Sequence, residues 1–221
     1  MKLLLGALTK FILGVLLVGA LIILPAGTFN YTDGWIFMSV LFVPVLIMGI
    51  VLLVKAPQLL AKRLDGKEKE SAQKGVVGFS ALIFIASFVV AGVDYRFGWS
   101  TVPNVVKIIA VGLFIVSYAL YAEVMRENAY LSRTIEVQEN QKVVSDGLYG
   151  IVRHPMYAAT ILMFLCMPLI LGSWISFAIL FAYPIIIAIR IVNEEKVLTE
   201  QLDGYSEYKA KVKYRIIPFI W

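Results

Sequence analysis

The sequence predicts an all-helical integral membrane protein with about six transmembrane helices, and three observations carry that reading. Hydrophobic residues make up 60% of the 221-residue chain and mean hydropathy is +0.84, whereas soluble domains are about 45–50% apolar. Six long apolar runs account for more than half of the residues, each able to form a helix of membrane-crossing scale. Charged residues fall mainly between these runs, and no hydrophilic stretch is long enough to fold as a second domain. The net charge of +5 does not point to nucleic acid, because the basic residues flank apolar segments instead of forming a patch.

Residues 3–24 form the first expected span, with Lys10 about two turns in and able to snorkel to the nearer interface. A signal peptide is the competing reading of this segment, but no clear Ala-x-Ala site follows it. Residues 34–54 form the second span; Pro44 is tolerated there if neighbours satisfy the freed carbonyl. A polar loop follows to Lys74. Residues 75–93 form the third span, and 94–99 read as a short loop with aromatic interface anchors. Residues 103–125 form the fourth, with Pro103 near its first position and Lys107 expected to snorkel. The polar stretch 126–146 contains two short alternations, 134–138 and 142–144, compatible with extended strands or a brief hairpin. Residues 158–171 and 174–189 are the last two spans, a tight hairpin turning at Gly172-Ser173. The tail 194–214 reads as an amphipathic interfacial helix: Leu198, Leu202, Tyr205, Tyr208 and Val212 recur at three and four residues, with Lys209, Lys211, Lys213 and Arg215 pointing elsewhere.

Charge sets the expected orientation. The loops after spans two and four, together with the tail, hold sixteen of the twenty basic residues: six in 55–74, four in 126–153 and six from Arg190 onward. The loops after spans one and three hold one, Arg96. The positive-inside rule then places both termini in the cytoplasm.

The last hairpin gathers the chain's chemistry. Its helices, each roughly 25 Å long, run antiparallel and end at the same level. Gly147-Leu-Tyr149-Gly-Ile-Val-Arg153-His154-Pro155-Met-Tyr157 therefore meets Arg190-Ile-Val-Asn-Glu194-Glu195. His154 is the chain's sole histidine. Taken singly, such residues are topology signals or a solvated helix start. Taken together, two Arg, one His, two Tyr and two Glu at a membrane edge are costly unless paired or functional. Pro155 suits the first helical position, so the free N–H groups of that helix end favour an anion. Glu194 and Glu195 favour a cation. A site offering both suits a zwitterionic, cationic cofactor.

Other site types lack their residues. No Gly-x-Gly-x-x-Gly follows a predicted strand, and there is no P-loop and no serine-centred nucleophile elbow. The single cysteine, Cys166, lies inside an apolar run, so it reads as a buried inert thiol, and with one distant His it makes neither a catalytic dyad nor a zinc site.

The Gly147-to-Tyr157 motif followed by Arg190 and Glu194-Glu195 resembles the isoprenylcysteine carboxyl methyltransferase family, part of a wider group with phospholipid N-methyltransferases. The tail Leu202-x-Gly204-Tyr205-x-Glu207-Tyr208-x-x-x-Val212-x-Tyr214-Arg215-x-Ile217-Pro218 is similar to that of the bacterial members. Strong resemblance covers roughly 138–221; the first four spans match in pattern only. It implies one membrane-embedded domain, with four spans in 1–130 and the cofactor-binding loop, hairpin and tail in 131–221. It implies S-adenosylmethionine as cofactor, held without a Rossmann domain by Val144, Gly147, Tyr149, Arg153, His154, Tyr157, Glu194 and Glu195. Arg190 and Glu194 are the implied catalytic residues. Two departures stand out: Leu148 where several relatives have Pro, and Gln141 where some have His.

The implied acceptor is a lipophilic small molecule or a prenylated partner, reached from membrane lipid at the cytoplasmic face of a bacterial or archaeal plasma membrane. A carboxylate acceptor needs no general base and suits Arg190 as a bidentate clamp; an amine lets Glu194 or Glu195 take a proton. Two rival readings stay open at the level of sequence. One is a sterol-reductase-like enzyme, which shares a related carboxy-terminal region but binds NADPH. The other is a lipid-binding membrane protein without chemistry.

Overall fold

The computed structural model describes residues 2–64, 71–131 and 137–221. Among them all regular structure is helical: α1 (Lys2–Ala26), α2 (Thr32–Lys55), α3 (Pro57–Leu64), α4 (Ser71–Phe97), α5 (Asn104–Glu127), a 3-10 turn (Gly147–Gly150), α6 (Pro155–Ile170), α7 (Trp174–Leu180), α8 (Tyr183–Gln201) and α9 (Tyr205–Lys211). Helix is the economical form here, because it satisfies every backbone donor and acceptor within one apolar segment.

Five stretches among the described residues are long and apolar enough to cross a membrane: Leu3–Ala26, Thr32–Lys55, Gly75–Phe97, Asn104–Glu127 and Trp174–Gln201. The sixth expected span, α6, has 16 residues, about 24 Å at 1.5 Å per residue, short of a hydrocarbon core of about 30 Å. It is also the most enclosed helix. Tyr157, Met163, Cys166, Met167 and Ile170 are buried along it within the main core. α5 packs along α6, α4 along α7, and α1 along α4. The outward faces stay apolar: Leu5, Leu13, Leu16, Leu17, Val105 and Ile108 are exposed, as lipid-facing residues are and soluble surfaces are not.

Several local expectations are revised. The expected single span 174–189 is two helices, broken at Phe181-Ala182 just before Pro184, which lacks the N–H to continue α7. The segment 94–99, read as a loop, is helical to Phe97, and the polar loop after α2 contains α3. Residues 142–144 are irregular rather than strand; of the alternation 134–138, residues 134–136 lie outside the described residues. Lys10 does not reach solvent alone but donates to the Leu64 carbonyl at the end of α3. Lys107 pairs with Asp33 of α2.

The hairpin turn at Gly172 is pinned at the end of the bundle opposite the polar cluster. Asp94 is 1% exposed and accepts from the Ser100 N–H at 2.6 Å and from the Ser100 and Ser173 hydroxyls. The Tyr31 hydroxyl donates to the Leu171 carbonyl. With that end anchored, α6 and α8 deliver their other ends to one place.

The tail is the largest revision. It is not one interfacial helix. α8 runs on to Gln201, the chain reverses at Gly204 with φ +82, and α9 folds back. Leu202, Tyr205, Tyr208 and Val212 are buried together against Val137, Val143 and Leu198, so the apolar face is covered by this protein rather than by lipid.

Candidate functional site

The site begins with the extended backbone just before α6. The Arg153 N–H donates to the Tyr214 carbonyl at 2.9 Å and the His154 N–H to the Arg215 carbonyl at 2.8 Å, so the tail is laced to the entrance of α6. The Arg153 guanidinium, itself buried, donates to the carbonyls of Val212 at 2.7 Å and Lys213 at 2.9 Å, and through Nε to Glu195 Oε1 at 2.7 Å. His154 Nε2 lies 3.3 Å from the same oxygen. Arg215, expected to point away from the apolar face of the tail, donates to Glu195 Oε2 at 3.0 Å. Glu195 is 2% exposed and both its oxygens are engaged, as a buried carboxylate requires.

One helical position earlier, Glu194 faces a different way. The Tyr157 hydroxyl donates to Glu194 Oε2 at 2.6 Å and accepts from Arg190 Nε at 2.8 Å. One phenol on α6 thus bridges two opposite charges on α8. Arg190 and Glu194 are four residues apart and share a helix face, which is why one side chain reaches both.

The loop before α6 is shaped by a glycine. Gly147 has φ +58, and a Cβ there would stand 1.9 Å from Glu127 Oε1. The Glu127 carboxylate, at the end of α5, accepts from the Leu148 N–H at 3.0–3.1 Å through its two oxygens. Tyr149 is fixed in turn: its hydroxyl accepts from Asn128 Nδ2 at 3.0 Å, and its carbonyl accepts from the Tyr208 hydroxyl at 2.7 Å. Burial, the largest influence, pushes the Tyr149 phenol up to about 12, so it remains protonated at neutral pH.

These side chains enclose a cavity of about 110 Å³. Of the residues the sequence assigned to a cofactor, Val144, Tyr149, Arg153, His154, Tyr157 and Glu194 line it, and Arg190 joins them. Gly147 and Glu195 are not among the lining residues: the first shapes the loop, the second ties α8 to α6 and the tail. Sequence reasoning missed Tyr205 and Tyr208 as cavity residues, along with Asn128, Val143, Leu198 and Leu202. The signal was present in the periodic apolar face of 198–212, but periodicity does not say what covers a face. Tyr205 stands out chemically. It is 4% exposed, and its hydroxyl is the one fully buried side-chain polar atom without a hydrogen-bond partner among the described residues.

Fold and site together define a helical integral membrane protein with a polar cavity at one end of its bundle. Residues 105–204 match the family model for phospholipid methyltransferase, which indicates a membrane methyltransferase. The match runs from the first turn of α5 to the glycine that ends the α8 extension, and so contains Tyr149, Arg153, His154, Tyr157, Arg190, Glu194 and Glu195. No curated protein matches the chain.

Proposed function

We propose that this protein is an S-adenosylmethionine-dependent methyltransferase that modifies a lipid-like or prenylated acceptor, carboxylate or amine, at the cytoplasmic face. The observation that carries the reading is the Arg190–Tyr157–Glu194 bridge, all three residues of which lie in the matched region and line the cavity. The cytoplasmic assignment rests on the basic-residue asymmetry.

The residues present fit that cofactor. Glu194 lines the cavity and offers a counter-charge for a sulfonium. Val143, Val144, Leu198 and Leu202 give the cavity apolar walls, suited to a purine. When bound, S-adenosylmethionine supplies an electrophilic methyl group. Transfer to an acceptor lone pair would break the carbon–sulfur bond and leave its electron pair on sulfur. The chain's own contribution is alignment and exclusion of water. Tyr157 holds Glu194 and Arg190 in fixed relation. Arg190 orients a carboxylate acceptor; for an amine, Glu194 accepts the released proton.

Purified protein in detergent tests the reading by calorimetry with S-adenosylhomocysteine and with NADPH, followed by methyl incorporation from labelled cofactor into membrane lipid extracts. Binding of S-adenosylhomocysteine together with labelled lipid is the expected result. NADPH binding with no affinity for S-adenosylhomocysteine would overturn it.

A further inference from the structure

The tail returns toward the bilayer. α8 runs on from Glu195 to Gln201, about 9 Å along its axis at 1.5 Å per residue. The chain then reverses at Gly204, and Tyr214 and Arg215 come back to the entrance of α6, where their carbonyls accept from the Arg153 and His154 N–H groups. The apolar run of α6 starts there, so the residues that follow Arg215 lie at the membrane edge. They form a closed turn. The N–H groups of Arg215, Ile216 and Ile217 donate to the Trp221 main-chain oxygen at 2.8, 3.0 and 3.3 Å, and those of Ile220 and Trp221 donate to the Ile217 carbonyl. Pro218 has no N–H to satisfy. A turn that spends its polar backbone internally is suited to an apolar medium.

Its side chains are exposed and apolar: Ile217 at 50%, Phe219 at 87% and Ile220 at 76%. Phe219 has φ +67, and with Pro218 before it occupies the turn position that favours glycine. A bulky residue there carries a backbone cost. Tyr214 is its ring neighbour, with centroids 5.2 Å apart, but a side chain so exposed does not offset that cost by burial in protein. Lys209, Lys211 and Lys213, all exposed, precede the turn. An apolar tip behind a run of lysines has the chemistry of a segment seated in an anionic lipid leaflet. We propose that Ile217, Phe219 and Ile220 insert into the leaflet at the cavity end, with the three lysines at its headgroups. Contact with lipid then belongs to this turn, and not to the face of Leu202, Tyr205, Tyr208 and Val212 that Val137 and Val143 cover. The proposal stands independently of the methyltransferase reading.

Full-length protein bearing Phe219→Cys or Ile220→Cys, labelled with nitrobenzoxadiazole, tests it in vesicles of phosphatidylcholine with and without phosphatidylglycerol. Glu207→Cys, exposed on α9, controls for the affinity of the dye itself for lipid, and native Cys166 is buried and takes no label. Two quenchers are compared: phosphatidylcholine with a nitroxide on its acyl chain, and iodide on both sides of the bilayer. The expected result at positions 219 and 220 is blue-shifted emission that nitroxide quenches and iodide does not, with the opposite pattern at 207. The blue shift should be larger with phosphatidylglycerol present. Quenching of 219 and 220 by iodide, as at 207, would overturn the proposal by placing the turn in water. Protection from both quenchers would also overturn it, because a protein surface such as a second copy of the chain would then cover the tip. Equal signals in the two kinds of vesicle would overturn the part assigned to the lysines.

Discussion

At the scale of single residues, the two adjacent glutamates divide structure from chemistry. Glu195 is enclosed by two arginines and a histidine; Glu194 faces the cavity and takes a hydrogen bond from Tyr157. Successive residues on a helix point about 100° apart, so one faces the tail and the other the cavity. Arg190→Lys keeps the charge of the third member of the bridge but loses the planar fork. That change is expected to cut turnover by tenfold or more, since about 1.4 kcal/mol of lost alignment is a factor of ten, while affinity for S-adenosylhomocysteine stays within twofold of wild type. Glu194→Gln should lower turnover and weaken S-adenosylmethionine binding together, because the sulfonium loses its counter-charge. Steady-state kinetics with calorimetry on both variants check this; full activity in Arg190→Lys would return that residue to a structural anchor.

At the scale of elements, the tail acts as a strap. α9 and the segment to Trp221 are held by backbone hydrogen bonds at Arg153 and His154 and by the Arg153–Glu195–Arg215 cluster. Arg215 also stacks over the Trp221 ring at 4.9 Å. Removing the shared carboxylate leaves a buried guanidinium uncompensated, a loss of about 3–5 kcal/mol for breaking one partner of a buried pair. Glu195→Ala should therefore lower the unfolding temperature in detergent by several degrees without ligand. Limited proteolysis should then cut first between α8 and the end of the tail. A variant as stable and protease-resistant as wild type would show that the strap does not hold the tail.

At the scale of the whole molecule, the bundle has two chemically different ends. One is closed by Asp94, Tyr31 and the Asp33–Lys107 pair around the Gly172 turn; the other carries the cavity together with Arg153, Arg190 and Arg215. Single cysteines at Gln58 and Asp203, both exposed and near the cavity end, should react with impermeant thiol reagent only from the cytoplasmic side in oriented membranes. A cysteine at Asn30, at the opposite end, should react only from outside. Native Cys166, buried in α6, should stay silent throughout. Labelling of positions 58 and 203 from opposite sides would exclude this topology.

The long helices were legible from composition because hydrophobicity is a local sum, and an apolar segment of about twenty residues has no better way to satisfy its backbone than a helix. The meeting of Arg153, His154 and Tyr157 with Arg190, Glu194 and Glu195 was legible too, since a tight hairpin returns its ends to one level. What remained hidden depended on which surface meets which. The face formed by Leu198, Leu202, Tyr205, Tyr208 and Val212 has the same period whether lipid or protein covers it, and only the reversal at Gly204 places it on Val137 and Val143. The separation of Glu194 from Glu195, the seating of Glu127 on the Leu148 N–H and the unpartnered hydroxyl of Tyr205 are distances between residues remote in sequence. Sequence determined the helices and the chemistry available at their ends; tertiary packing alone decided which polar groups satisfy one another.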